Sequence, residues 1–498
     1  SRLKDLPIGA ARGVWGHASM PLTLAFSLLP TPARDSHAAS PSTSSRARTA
    51  GRHSEAWRPL AAEQPSRGRD RWVLAALGAV GLGAQRLRRR SLLTGTSTAP
   101  RMTSRTPYSH ASAQSAVAVL EKEGVGAAAA PGLEAGRPTP GPSDALLRAA
   151  RGEALERTPV WLMRQAGRYM KAFRKYSERY PFRQRSETPE MAIELSLQCH
   201  RQYGMDGVIF FSDILTPLPA LGIEFDVVRG RGPIVLGDLA RCLEDRLEGP
   251  NAIRTVSDSE DFVSSHGFIR QILSELRKEV EGKCSLLGFV GAPWTLAAYA
   301  VEGGSTKDAA VFKKWMYQSP AVAEEFLRRM TVTVSQYAIF QVRSGAQCIQ
   351  VFDSWAHCLT PEQWKKFAAP YAKQLAETVR SACPGVPLIY FANGGSSYLS
   401  LQVEELSGVF EVLTVDQHAR MSDARRAAEG SGLVLQGNVD PYVLRYGGEA
   451  EVRDAVRRTI DEAGGPGNHI LNLGHGVLQG TPEENVLFFV QEAQEYGR

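Results

Sequence analysis

A chain of 498 residues with a formal net charge of +6 has room for two or three ordinary domains, or for one large barrel with an appendage. The charge is uneven: residues 1–142 hold 19 Lys+Arg against 8 Asp+Glu, and the remainder carries a net of −5. The patterned part of the chain is therefore mildly acidic and holds no nucleic-acid motif, which argues against a nucleic-acid partner. Six cysteines, all beyond residue 198 and without a CxxC pair, exclude a disulfide framework and lack the local spacing of a zinc site.

Residues 1–142 are rich in Ser, Ala, Arg, Pro and Gly and have too few apolar positions to offset the entropy of ordering a chain. Two apolar patches interrupt them, Met20 to Pro30 and Trp72 to Gln85, the second closed by Arg86, Arg88, Arg89 and Arg90. The second patch is short for a membrane span, which needs about 20 apolar residues. Two patches separated by a Ser/Thr/Arg-rich, acid-poor stretch resemble the multipart leaders of proteins sent into complex plastids. The expectation is a plastid protein after leader removal, with a cytoplasmic location as the alternative and no stable membrane insertion of the mature domain. A run of prolines from Pro131 to Pro142 makes a linker, and Ser143 is the expected N-cap of the next helix. The expected organisation is a leader and linker over 1–142 and a barrel domain over 143–498.

From Pro159 onward short apolar runs alternate with amphipathic stretches. Strands are expected at 160–163, 207–211, 285–290, 348–352, 387–391, 411–415, 433–437 and 469–473, with a hairpin inserted at 222–236. Helices are expected between them, among others over Pro320–Ser344 and Pro361–Ala382. Eight such units point to a (β/α)8 barrel. A doubly wound sheet is the competitor, weakened because no glycine-rich phosphate loop follows a strand.

In a barrel of this kind the active site lies at the C-terminal ends of the strands. Polar residues stand there repeatedly: Arg164, Ser212, Asp213, Asp353, Ser354, Asn393, Asp416, Asn438, Asp440 and His475. Arg164 and Arg168 follow the first run, and guanidinium forks that stay protonated suit a ligand with several carboxylates. Asp213 lies between aromatic and aliphatic neighbours that desolvate it; the alternative is a helix N-cap. Tyr299 belongs to a helix that returns its phenol toward the mouth, or else is a core tyrosine. His475, between Gly474 and Gly476, is either close to a ligand or a plain turn histidine. Arginines, one desolvated aspartate, a tyrosine and a histidine fit a decarboxylation without cofactor or metal, provided the substrate is an electron-rich ring that can take up the electrons itself.

RQAGRY, FSDIL, GAPWTL with EGG, FDS, LQGN and NLGHG with GTPEENV occur in this order from Pro159 to the C-terminus, and together they resemble the uroporphyrinogen decarboxylase family. The resemblance implies a distorted (β/α)8 barrel, commonly a homodimer, that removes four of the eight carboxylates of the reduced tetrapyrrole uroporphyrinogen III to give coproporphyrinogen III. It assigns catalysis to Arg164, Asp213, Tyr299 and His475. It assigns substrate binding to Arg164, Gln165, Ala166, Gly167, Arg168, Asp213, Tyr299, Phe352, Ser354 and His475, with Asp213 receiving the pyrrole NH groups and Phe352 lying against the macrocycle. Arg164 working with Asp213 is the favoured proton source. Two stretches depart from the family pattern: His357 and Cys358 after FDSWA, and Gln417 and His418 after Asp416, where a tryptophan usually follows the aspartate. Competing expectations are a zinc-dependent methyltransferase on the same barrel, disfavoured because no His-x-Cys pair is present, and a non-catalytic tetrapyrrole binder.

Overall fold

The computed structural model describes residues 144–248 and 252–496; residues 1–143, where a leader, a linker and the N-cap Ser143 were expected, lie outside the described residues. The first described helix, Ala145–Ala150, follows Asp144, whose side chain makes no capping bond. The strands among the described residues are β1 (Gly207–Ile209), β2 (Phe225–Val228), β3 (Gly232–Val235), β4 (Ser285–Gly291), β5 (Cys348–Asp353), β6 (Leu388–Ala392), β7 (Val412–Thr414), β8 (Val434–Val439) and β9 (Ile470–Leu473). Seven of them form one parallel sheet in the order β1, β4, β5, β6, β7, β8, β9, and β2 pairs with β3 as the inserted antiparallel hairpin. Every residue of β4 and of β6 is buried, as a parallel sheet covered on both faces requires.

The expected strand at 160–163 is reduced to a single parallel bridge, Val160 to Leu471. Main-chain and side-chain groups share the rest of its pairing. Leu471 N donates to Pro159 O at 2.9 Å and Asp206 N to Val160 O at 2.9 Å, so this segment still occupies the place between β9 and β1. Asp206 Oδ2 accepts from Val160 N at 2.9 Å, and Asn472 Oδ1 accepts from Met163 N at 3.0 Å. Asp206 is held in turn by Arg157, at 2.5 Å and 2.9 Å, both side chains being buried. The ring is thus a distorted (β/α)8 barrel in which carboxylate and amide groups replace missing ladder bonds, satisfying backbone donors that burial would otherwise strand.

A similar substitution supports β4. Because β1 is only three residues long, Phe289 has no strand on that side; Gln341, from the helix Pro320–Arg343, accepts from its N–H and donates to its carbonyl, both at 2.8 Å. A Cβ on Gly288 would lie 2.6 Å from Gln341 Oε1, so glycine is what admits the amide.

The barrel interior is partly polar. Trp161 Nε1 donates to Gln436 Oε1 at 2.9 Å, and Gln436 Nε2 donates to Gln350 Oε1 at 3.1 Å and to Thr414 Oγ1 at 2.7 Å. Since β5 and β8 are not neighbours in the sheet, a bond between Gln350 and Gln436 has to cross the inside of the ring. One expected helix is divided: Pro361–Phe367 and Ala369–Ala382 meet at Ala368, where φ is −119°. Pro370 has no N–H to continue the ladder, and its ring disfavours a helical residue before it.

Candidate active site

The C-terminal ends of the parallel strands form one mouth. Arg164 sits there with φ of +59°, in the left-handed region that costs a non-glycine residue about 1–2 kcal/mol. What holds it is Gln165, which is fully buried. Its Oε1 accepts from Leu162 N at 3.2 Å and its Nε2 donates to Gly207 O at 3.1 Å, while its carbonyl accepts from Cys199 Sγ at 2.7 Å. The side chain of Gln165 therefore faces the protein, and only its main chain runs along the mouth with Ala166 and Gly167. The exposed Arg164 side chain lies over Gly476, where a Cβ would come within 2.4 Å of its Cδ.

Asp213 follows β1 and starts a turn, not a helix: its Oδ1 accepts from Leu215 N at 2.8 Å. It keeps partial exposure to the mouth, yet the surrounding atoms desolvate it and raise its pKa; the Leu215 N–H and the nearby Arg164 charge oppose that shift. Its second oxygen has no hydrogen bond among the described residues. Tyr299, on the helix Pro293–Glu302, stacks edge-on against Trp355 at 4.6 Å, and desolvation first, then the Asp213 charge among others, raises its phenol pKa. Burial, Arg164 and His357 push His475 down to about 4, so its imidazole is neutral at neutral pH.

Beneath these groups runs an arc of aromatic rings from the neighbouring β1, β4, β5 and β6 segments, met by His475 beyond β9: Phe210 to Phe289 at 5.0 Å, Phe289 to Phe352 at 5.9 Å, Phe352 to Phe391 at 6.3 Å and Phe391 to His475 at 6.1 Å. Phe352 and His475 are its half-exposed members. Phe289 and Phe391 were not singled out from the sequence, although Phe391 ends its apolar run as Phe352 does and pairs with it in register.

Four other strand-end residues, Asp353, Asp416, Asn438 and Asp440, are occupied by bonds within the protein. Asp353 is fully buried, accepting from Thr295 Oγ1 at 2.6 Å and from Tyr390 OH at 2.7 Å, and desolvation raises its pKa to about 6. Asp416 accepts from Ser396 and from His418 N, Asn438 donates to Asp416 O and Ala419 O, and Asp440 caps the helix Pro441–Tyr446. Ser354 is half-exposed beside Phe352, its carbonyl accepting from Asn393 Nδ2 at 3.1 Å. His357 stands exposed at the rim, and Cys358 Sγ lies 3.6 Å from its Nε2, with the thiol pushed up to about 11 by burial. No group of three His, Cys, Asp or Glu side chains among the described residues is arranged to hold a metal. Two surface clefts of 640 Å³ and 750 Å³ include none of the mouth residues.

Fold and site together define a (β/α)8-barrel enzyme whose chemistry is carried at the C-terminal ends of its strands. The family model described as uroporphyrinogen decarboxylase (URO-D) matches residues 141–496. Relatives named uroporphyrinogen decarboxylase include those of Trichodesmium erythraeum, 46% identical over 351 residues, and of Picosynechococcus sp., 47% identical over 352; each match covers 70% of this chain and 95% of the relative. The relative from Synechocystis sp. is 45% identical over 351 residues, covering 70% of this chain and 96% of its own. A solved methyltransferase from Methanosarcina mazei shares the fold, with a TM-score of 0.60 at 22% identity, covering 71% of this chain and 98% of that one. The chain belongs to the uroporphyrinogen decarboxylase family.

Proposed function

We propose that the mouth binds uroporphyrinogen III with its pyrrole NH groups on Asp213 and removes the four acetate carboxylates to give coproporphyrinogen III. The observation that carries this is Asp213: a desolvated carboxylate with one oxygen engaged, the other open to the mouth, and Arg164 close enough to oppose its pKa shift. Four NH donors converging on one centre need one such acceptor. The aromatic arc offers an apolar floor for the macrocycle, and Arg164 and Arg168 offer forks for its peripheral carboxylates.

Each step is balanced by the substrate. A proton added to a ring carbon makes the pyrrole cationic; the bond from the acetate methylene to its carboxylate then breaks, its electron pair neutralising the ring as CO2 leaves. Proton uptake at the exocyclic carbon and proton loss from the ring complete a methyl group, so one proton replaces one CO2 overall. Asp213 lowers the energy of the cationic ring electrostatically, which is where preorganised charge contributes most. His475 is neutral at working pH and Tyr299 is a weakened acid, which leaves Arg164 acting with Asp213 as the proposed route for the proton. Gln165, Ala166 and Gly167 hold Arg164 and Arg168 in place, Ser354 and His475 hydrogen-bond carboxylates, and Phe352 lies against the ring.

The protein is further proposed to act as a homodimer and, with residues 1–142 serving as a removable leader, in a plastid. What supports the second point is that the family model matches residues 141–496 and that the cyanobacterial relatives, covered to 95% of their own length, match only 70% of this chain. Incubating the full chain with uroporphyrinogen III under anaerobic conditions and following carboxylate loss by chromatography tests the activity. Unchanged octacarboxylate would sink the proposal.

A further inference from the structure

We infer that Arg185 completes, with Arg168, a second carboxylate subsite beside the mouth, one that holds a peripheral carboxylate of the tetrapyrrole; this rests on the proposed substrate. Arg185 lies on the short helix Phe182–Glu187 and is 7% exposed. Three rings surround its guanidinium, Phe173 at 5.4 Å and Phe182 and Phe211 at 5.5 Å each. Its Nε donates to Tyr180 O at 3.0 Å, while its Nη1 is buried with no hydrogen-bond partner among the described residues.

A buried guanidinium in this position is incompletely satisfied. Ring faces attract a cation, but burying a charge without a counter-charge costs more than they return. The charged neighbour that bears on Arg185 is Arg168, of the same sign, and with burial it pushes the guanidinium down to about 10. Neither Arg168 nor Arg185 forms an ion pair with a carboxylate of the described residues, whereas Arg157, Arg201, Arg329, Arg380 and Arg453 each do. Two cations without a carboxylate partner among the described residues, one of them desolvated, raise the local potential for an anion. Phe211, one of the three rings, precedes Ser212 and Asp213 directly, so the inferred subsite adjoins the place proposed for the ring centre. A planar fork with a free Nη1 matches one carboxylate, and a substrate carrying eight of them has peripheral groups to supply.

Arg185→Met keeps the approximate volume and removes the charge. Titrating the full chain with uroporphyrin, the oxidised octacarboxylate, is expected to show affinity about tenfold or more lower than the parent, from the loss of charge-assisted bonds. The melting temperature without ligand should stay near the parental value, because the substitution removes an uncompensated buried charge. Equal affinity in the variant would overturn the subsite. So would a large fall in melting temperature of a folded variant with binding unchanged, the mark of a purely structural arginine. If Arg185→Met does not fold, Arg185→Lys decides: weaker binding at an unchanged melting temperature upholds the subsite, and undiminished binding refutes it. Parental protein that neither turns over uroporphyrinogen nor binds uroporphyrin would sink the functional proposal, and the subsite with it; parental turnover with equal binding by the variant sinks the subsite alone.

Discussion

Replacing Asp213 with asparagine separates the role of its charge from that of its shape. The asparagine carbonyl can still accept from Leu215 N, the one hydrogen bond the side chain makes among the described residues, so the turn after β1 should persist. The carboxylate is raised in pKa by desolvation, so its stabilising contribution is present below the ordinary value of 3.8 and is lost as pH rises through the folded value. At neutral pH the folded protein bears the cost of an ionised, partly desolvated group, and Asp213→Asn removes that cost; the variant should melt at or slightly above the parental temperature. Catalysis should move the other way. Losing a preorganised charge aimed at a developing cation is worth about 3–4 kcal/mol, or 10²–10³ in kcat. Single-turnover decarboxylation of uroporphyrinogen III at pH 7, with chromatographic separation of intermediates, reads the chemical step, and thermal melting in parallel reads the fold. A variant with near-parental turnover would reduce Asp213 to a turn residue and remove the macrocycle from its proposed centre.

Three further outcomes follow from the same geometry. Gly476→Ala places a Cβ where Arg164 Cδ now lies, at 2.4 Å, and the flexible arginine should yield, leaving circular dichroism unchanged while kcat/KM falls by as much as about 10²-fold, the cost of a displacement near 1 Å. Gln436→Leu strips partners from buried Trp161 Nε1, Gln350 Oε1 and Thr414 Oγ1 and should lower unfolding free energy by about 2–5 kcal/mol in urea titration. His266 and His475 are pushed down to about 4 and His469 to about 3 by burial, from 6.5. The unfolded chain takes up protons below 6.5 that the folded one refuses, so stability should be full above that pH and fall as pH drops from 6.5 to about 4, and to about 3 for the His469 share, with His469→Gln flattening the slope of melting temperature against pH.

Much of the barrel was legible because a strand buried on both faces has to be an apolar run, and CIQVF and PLIYF needed no tertiary knowledge to be recognised. The proline at 370 likewise marked the helix break in the sequence, though the expected helix ran through it. The strand at 160–163 shows the limit. Its apolar composition marked it as a strand, but whether it pairs by ladder or through Asp206 and Asn472 depends on residues 46 and 309 positions away.

The site divides in the same manner. Which polar residues follow strands is a fact of one dimension, so Asp213, Asp353 and Asp416 look alike in sequence. Only the packing distinguishes them: Asp353 meets Thr295 and Tyr390, Asp416 meets Ser396, and Asp213 keeps an oxygen toward the mouth. Arg185 had no local signal, because an exposed and a buried unpaired arginine are written with the same letter, and two of the three rings around it, Phe173 and Phe211, arrive from other segments while Phe182 lies on its own helix. By itself the sequence determined the period of the strands and helices and the residue types at their ends. The closure of the ring decided which of those side chains are desolvated, paired or left open, since burial and counter-charge are properties of neighbours in space.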